Sequence, residues 1–560
     1  MEYGDIKFLV RKSLNTEEGL NIRLKIKDVN LRKIQLYRGK TKINNIKCKE
    51  EFYCDSNFIY INNKSRDLIL EYEVLIGSLG KHGKGGEIEE DLISFMGEQI
   101  LMLPVEMLTM NDDLKLNCIL EIDFTNLIED IKSEVYSEKD YKSIIPFKEN
   151  DFKSKCVGGT WSDLYEIMKS SYTFGFFEEI VLMKNYGEVH LYSSIENTFL
   201  NDSSKEEVVR NIKSICDYYY DLFKIDSLNK KDLNIVLLRK SKKENSYILG
   251  GSGKNVISAT FDMNKKRDWQ LLSHRIFHAF MDDLLKSRVY HLPPNLWLTE
   301  GLATYYENLA LESLEEGLKE RLDIKFKKEM AILYTRYLYM TLKEPSRFRI
   351  IPMEEGSIRS HGKIEFLHYT KAPLLVYFIE SLKNSCGNKH EIIEYLINNK
   401  DKSFSMQNLF YNLLGFRCDS FASKYLFGNS IIPLWDLKEH LDDKEVICNL
   451  QEYEYILWTW FLGEEENYIK DDLREYNKNI EEIISLRNIN IYNSYLTKEI
   501  EGYSKELSFL LKAWIIRSNI CSVSSQDENI RYKLLKDKEN LRIWKGFVRS
   551  EEHTSELQSH

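Results

Sequence analysis

Two histidines stand four residues apart in the segment LLSHRIFHAF, residues 271–280. If this segment is helical, His274 and His278 lie on one face, a single turn apart. Two imidazole nitrogens in that arrangement are typical ligands of a zinc ion, which needs a third protein ligand and, for catalysis, an open fourth position. On its own, such a pair is more often part of a purely structural helix than of a metal site.

A third candidate ligand stands in PPNLWLTEGLATYYEN, residues 293–308. The two prolines predict the start of a helix. Its predicted buried side consists of Trp297, Leu298, Leu302, Tyr305 and Tyr306. Glu300 lies among these apolar residues, where a carboxylate is costly unless it is paired or bound to a metal. A glutamate on the wet side of the helix is the alternative interpretation.

Taken together, the two segments resemble the gluzincin zinc metallopeptidases of the aminopeptidase type, peptidase families M1 and M61. In these families an HExxH helix precedes a W-L-x-E-G helix, which stands here as WLTEGLATYYE. The resemblance implies His274, His278 and Glu300 as the zinc ligands. It also implies a thermolysin-like catalytic domain and covers residues 175–440.

Two further segments extend the resemblance. HYTKAPLLVYFIESL (368–382) is similar to a downstream family helix, which implies that Tyr369 stabilises the transition state. Simple packing is the alternative role for this tyrosine. FASKYLFGNSIIPLWDL (421–437) resembles the glycyl-aminopeptidase branch of the clan.

Four departures from the family pattern affect the predicted chemistry. Arg275 stands where the general-base glutamate of HExxH is expected, and 21 residues separate His278 from Glu300 where the pattern has about 18. The segment GGSGKN (250–255), which the resemblance implies as the substrate-binding edge through Gly250 and Gly251, lacks its glutamate. Pro373 replaces a glycine.

Arginine at position 275 cannot accept a proton from a metal-bound water. Loss of a general base costs on the order of 10²- to 10⁴-fold in rate. Its positive charge also repels a zinc ion. We therefore expect either weakened zinc binding or an acidic partner that holds Arg275 away, with Glu307, Asp282 and Glu365 as candidates.

The same substitution changes the expected ligand. In the resembled aminopeptidases a carboxylate of the substrate-edge motif binds the free amino group of a peptide, and GGSGKN has none. An arginine suits carboxylates and phosphates, which it binds in a bidentate manner. The sequence thus predicts a site for peptide or for an anionic ligand.

The elements that must position these residues predict a multidomain α+β protein. Residues 1–150 contain short alternating segments such as NIRLKIKDV and LILEYEVLI, which predict an N-terminal β-sandwich-like domain. Beyond Asp268, the predicted N-cap of the HRIFH helix, the periodicity is helical. Residues 441–548 predict a helical C-terminal region, and 549–560 resemble a translated sequencing adapter, which we treat as a non-native tail.

Composition excludes several classes of function. The 560-residue chain carries a net charge of −10, which does not favour a nucleic-acid partner. Its nine cysteines include no CxxC pair and indicate a reducing compartment. No secretory signal or bilayer-spanning run is apparent. We expect a cytoplasmic protein without membrane attachment, whose oligomeric state the sequence leaves open.

Three functions follow from the sequence. The first is a degenerate zinc peptidase, with zinc bound weakly or not at all, which binds peptide or an anionic ligand. The second is an active zinc-dependent peptidase with an atypical base. The third is an interaction scaffold without metal.

Overall fold

The structure is a computed structural model of the chain. It describes residues 5–14, 16, 19–28, 33–37, 42–55, 58–62, 66–76, 86–88, 92–105, 115–124, 141–146, 153–183, 187–194, 202–226, 230–238, 250–253, 255–284, 296–343, 366–383, 390–399, 405–426, 432, 434, 437 and 440. The described chain forms two compact units, residues 1–288 with 313–323 and residues 289–312 with 324–560.

All the described strands belong to the first unit and precede residue 261. They are β1 (Ile6–Lys12), β2 (Gly19–Ile26), β3 (Lys33–Tyr37), β4 (Lys42–Cys48), β5 (Glu51–Cys54), β6 (Phe58–Asn62), β7 (Leu68–Leu75), β8 (Glu87–Ile88), β9 (Leu92–Met96), β10 (Leu103–Pro104), β11 (Lys115–Asp123), β12 (Tyr141–Ile144), β13 (Lys153–Thr160), β14 (Ser171–Met183), β15 (Val189–Ser194), β16 (Leu233–Leu238), β17 (Gly250–Gly253) and β18 (Val256–Thr260).

These strands form three sheets. One has the order β13-β11-β1-β2-β7-β4, and a second has the order β10-β3-β6-β5. The third runs β17-β18-β16-β15-β14-β9-β8, with β12 paired to β14. The pairs β1–β11, β15–β16 and β16–β18 are parallel, and the other pairs are antiparallel. Among the described strands, β17 ends the third sheet and is therefore an edge strand.

Alternation of apolar and polar residues explains the N-terminal sheets. In β1 the side chains of Ile6, Phe8 and Val10 are buried, while the residues between them are not. Successive strand residues point to opposite faces, so this pattern buries one face of the sheet. A single apolar core contains residues from the first two sheets together with Tyr172 and Phe174 of β14.

The described α-helices are α1 (Gly97–Ile100), α2 (Trp161–Lys169), α3 (Asp202–Leu222), α4 (Lys266–Leu284), α5 (Leu296–Ala310), α6 (Glu316–Leu322), α7 (Phe326–Lys343), α8 (Ala372–Lys383), α9 (Glu391–Asn398), α10 (Met406–Leu414) and α11 (Cys418–Phe421). A π-helical segment, Leu367–Lys371, leads directly into α8. The first unit contains α1–α4 and α6, and the second contains α5 and α7–α11.

In the second unit, α5 packs closely against the start of α8. A Cβ atom at Gly301 would lie 2.6 Å from the Cβ of Ala372 and 3.0 Å from its carbonyl carbon. Only a glycine allows this approach of the two backbones. The glycine of WLTEGL therefore sets how closely the helix that carries Glu300 packs on α8.

Replacement of Gly301 by alanine is expected to destabilise the protein by about 1–3 kcal/mol, because the added methyl group overpacks the α5–α8 contact. Urea unfolding of metal-free protein measures this. Gly317→Ala in α6 is the matched control, since nothing lies within 4 Å of a Cβ there and alanine favours a helix by up to about 1 kcal/mol. Equal effects of the two substitutions would contradict the packing argument.

The fold confirms most elements expected from the sequence. The alternating segments are strands, and every element after β18 is a helix among the residues that the structure describes. The prediction that Asp268 is the N-cap of α4 is wrong. The helix begins at Lys266, and Asp268 in its first turn accepts the backbone N–H of Asp262 at 3.0 Å.

Three other expectations are tested only in part or not at all by the described residues. Pro293, Pro294 and residues 441–560 lie outside the described residues, so the predicted C-terminal region remains a prediction. Cys48, Cys54, Cys118, Cys216 and Cys418 form no disulfide. In the part of the chain that the structure describes, no helix combines the length and apolarity needed to cross a membrane.

Candidate metal centre

Helix α4 is held against α3 by an aromatic cluster. Phe280 stacks on Phe223 at 5.3 Å between ring centroids, and Phe277 meets Tyr219 edge to face at 6.0 Å. The hydroxyl of Tyr219 also forms a buried 2.8 Å hydrogen bond with Ser273. Since this apolar face is buried, the orientation of the remaining face of α4 is determined by packing.

His274 and His278 lie together on that remaining face. Both are half-buried, their ring centroids are 4.7 Å apart, and their Nε2 atoms are separated by 3.1 Å. Two ligand atoms on a tetrahedral zinc, each about 2.0–2.1 Å from the ion, are about 3.3 Å apart. The two nitrogens are therefore already close to the spacing that one zinc ion requires.

Glu300 is the third zinc ligand that the resemblance implies. It is half-buried in α5, and Trp297, Leu298 and Leu302 of the same helix are buried, as the sequence predicts. Glu300 belongs to the second unit and the two histidines to the first, and its place beside them remains what the resemblance implies. Two neutral imidazoles and a carboxylate are a ligand set that zinc binds. The residues present fit a zinc ion.

Arg275 points from α4 to the sheet and is 8% exposed. Its Nη1 donates to the carbonyl oxygen of Ser258 in β18 at 2.6 Å. Burial lowers its pKa to about 10, an effect that Arg267 reinforces and Asp268 opposes. At neutral pH the guanidinium therefore remains protonated, so Arg275 is a buried cation.

The acceptor of this bond belongs to a small polar node. Ser258 is fully buried, and its Oγ accepts the backbone N–H of Gly251 at 3.3 Å and bonds the hydroxyl of Ser171. Through these hydrogen bonds the node connects β14, β17 and β18, and the bond from Arg275 connects α4 to the same strands. Sequence reasoning missed Ser258, although a serine within the apolar strand VISAT is the signal that marks it.

Gly250 and Gly251 lie on the edge strand β17, next to this node. Gly250 has a φ of +96°, and a Cβ there would lie 2.1 Å from the carbonyl oxygen of Ser258. A Cβ at Gly251 would meet the sulfur of Met96 at 2.2 Å. Gly250 therefore requires glycine, whereas a side chain at Gly251 would have to displace the flexible end of Met96. The substrate-binding role of both glycines remains what the resemblance implies.

Tyr369 is half-buried in the π-helical segment before α8. The N–H of Ala372 donates to the carbonyl of Leu367, five residues earlier. Pro373 has no N–H to donate to the carbonyl of Tyr369, four residues before it. The proline that departs from the family pattern thus accounts for a π turn at Tyr369, and such turns are frequent at functional sites.

The structure describes some of the other charged residues considered for the site, but not all of them. Lys371 is 2% exposed, and burial lowers its pKa to about 7, which the sequence did not indicate. Glu307 is buried in α5, and its pairing with Arg275 remains a prediction. The side chain of Asp282 and the whole of Glu365 lie outside the described residues.

Comparison with solved structures identifies the fold. The chain is similar to the aminopeptidase N family protein from Idiomarina loihiensis, with a TM-score of 0.51 and 13% identity over 77% of each chain. No protein-family model matches the sequence, and no curated protein sequence matches it.

Two further structures match with lower scores. An M1 zinc metallopeptidase from Deinococcus radiodurans matches 77% of this chain and 94% of its own, with a TM-score of 0.42 and 13% identity. Yeast LTA4 hydrolase in complex with bestatin matches 98% of this chain and 93% of its own, with a TM-score of 0.47 and 10% identity. The Idiomarina similarity supports the fold of an aminopeptidase N family protein, and at 13% identity it shows the fold and no more.

Proposed function

We propose that this protein is a degenerate zinc metallopeptidase of the aminopeptidase type. Its candidate metal centre binds zinc weakly, and the protein binds peptide but hydrolyses it very slowly or not at all. The observation that carries the proposal is the position of Arg275, a buried cation on the carbonyl of Ser258, next in sequence to His274. The aminopeptidase-type fold and the 3.1 Å spacing of the His274 and His278 nitrogens support it.

Each residue has a proposed part in this function. His274, His278 and Glu300 would hold the zinc, which when bound supplies Lewis-acid polarisation of a carbonyl and a lowered pKa for a bound water. Tyr369 would donate a hydrogen bond to the oxygen on which negative charge develops. Arg275 cannot accept the proton that the reaction releases. We therefore expect peptide to bind without efficient cleavage.

Peptide is a better candidate ligand than a free anion. The edge strand β17, with Gly250 and Gly251, offers backbone groups with which an extended peptide can pair. Binding of an anion by Arg275 would require the buried guanidinium to exchange its bond to Ser258 for the ligand. An anionic ligand remains part of the proposal, as the weaker alternative.

Zinc content and peptide hydrolysis, measured on the same purified chain, test the proposal. We expect substoichiometric zinc that is lost in His278→Ala, together with hydrolysis at the background level of Glu300→Ala. Hydrolysis at ordinary enzymatic rates that Glu300→Ala abolishes would establish an active peptidase with an atypical base. A zinc-free chain that melts identically with and without chelator would establish a scaffold.

We also propose a cytoplasmic location and no nucleic-acid or membrane partner. The net charge of −10 and the absence of disulfides among the described cysteines support these assignments. Fractionation of cells that express the tagged chain tests the location, and recovery with membranes would contradict it.

A further inference from the structure

Thr304 of α5 is a buried threonine whose hydroxyl makes no hydrogen bond to any other described residue. The residue is 5% exposed. A buried hydroxyl without a partner costs stability, because it has given up its hydrogen bonds to water. Such a group in a folded protein needs an explanation. The Thr304 hydroxyl is an available hydrogen-bond donor in the interior of the second unit.

Another buried threonine of the same unit behaves in the usual way. Thr335 of α7 is 1% exposed, and its hydroxyl donates to the carbonyl of Ala331, four residues earlier, at 3.0 Å. The corresponding acceptor for Thr304 is the carbonyl of Glu300, and this bond is not made. The hydroxyl of Thr304 is therefore turned away from the backbone acceptor that a helical threonine commonly uses.

The side chain of Glu300 lies one turn earlier on the same face of α5. Residues four apart on an α-helix have Cβ atoms about 5–6 Å from each other. Helical side chains lean toward the N-terminus, so Thr304 covers the turn that contains Glu300. Glu300 is half-buried, and its Oε2 atom is enclosed. A hydroxyl donor and a carboxylate acceptor thus lie within reach of one another on a single helix.

We propose that Thr304 is a positioning residue for Glu300 in the proposed metal centre, where its hydroxyl donates to the carboxylate oxygen that is not a metal ligand. A carboxylate that binds a metal through one oxygen keeps the other as an acceptor, and a donor there fixes the orientation of the group. This role rests on the proposed function, because it concerns the same zinc ligand.

Glu307 is a second carboxylate on this stripe of α5. It lies three residues after Thr304 and is 3% exposed. A bond to Glu307 would already satisfy the hydroxyl in the structure as it stands, and no such bond is present. The lean of helical side chains toward the N-terminus also favours Glu300. The carboxylate of Glu300 is therefore the partner that the helix geometry favours.

Thr304→Val separates positioning from packing, because valine has the shape of threonine without the hydroxyl. We expect the metal-free variant to be at least as stable as the natural protein, since an unpaired buried group is removed. We expect its dissociation constant for zinc to rise on the order of 10- to 100-fold. A threonine that only supports the fold would give lower stability and an unchanged zinc affinity.

Urea unfolding in the presence of chelator and competition with a fluorescent zinc chelator, both on the full chain, measure the two effects. Thr304→Ser keeps the hydroxyl and should bind zinc as the natural protein does. Thr335→Val is the matched control, which loses the bond to Ala331 and should lower stability without a change in zinc affinity. The zinc titrations are repeated in an Arg275→Met background, where tighter binding is expected.

Unchanged zinc affinity in Thr304→Val overturns the role of Thr304, and so does a Thr304→Ser variant that binds zinc as weakly as Thr304→Val. Either result leaves the proposed metal centre in place. Absence of zinc binding from both the natural protein and Arg275→Met overturns the metal centre and the role of Thr304 together.

Discussion

Arg275→Glu is expected to raise peptide hydrolysis by 10²- to 10⁴-fold over the natural chain, because it returns a proton acceptor to the helix of His274 and His278. The carboxylate also offsets the charge of a zinc ion, where the guanidinium adds to it. Initial rates on unblocked and N-terminally blocked peptides, at saturating zinc, measure the gain and show whether a free amino group matters.

Arg275→Gln is the matched control for that experiment. Glutamine is close to glutamate in shape and removes the same positive charge, but it cannot take a proton from water. We expect it to bind zinc and to remain at the background rate. If Arg275→Glu is no faster than Arg275→Gln although both are folded and loaded with zinc, the missing base is not what limits this protein.

Arg275→Met is expected to tighten zinc binding on the order of 10²- to 10³-fold. Like charges a few Å apart repel by several kcal/mol at an effective dielectric of about 20, and methionine keeps the length of the side chain without its charge. The buried state of Arg275 makes screening by salt ineffective. Competition with a fluorescent zinc chelator measures the dissociation constant.

Arg267→Met removes an equal charge from the same helix and serves as the control. Arg267 is exposed, so water screens it and we expect less than a threefold change in zinc affinity. Equal changes in zinc affinity for Arg275→Met and Arg267→Met would contradict a repulsion that acts between Arg275 and the zinc ion. Arg275→Met also removes the hydrogen bond to the buried carbonyl of Ser258, which lowers stability. The thermal unfolding of both variants is therefore measured together with their zinc affinity.

The sequence was sufficient to predict the features that depend only on neighbouring residues along the chain. His274 and His278 share a helix face because the helical repeat is local, and alternation in β1 and β7 predicts which side chains are buried. Glu300 was predicted from its apolar surroundings together with a family resemblance. The predicted start of α4 was wrong. Asp268 was expected to cap the helix, but the helix begins at Lys266 and Asp268 accepts the backbone N–H of Asp262.

Only the tertiary structure decided where charged side chains find their partners. Arg275 reaches the carbonyl of Ser258, which lies in a different strand, and Glu380 caps a helix that begins eleven residues later. The sequence by itself determined the types of chemical group, their periodicity and the candidate ligands of a zinc ion. Burial and long-range hydrogen bonds set the charge state of those groups, because desolvation depends on everything that packs around a side chain, and no local pattern encodes it.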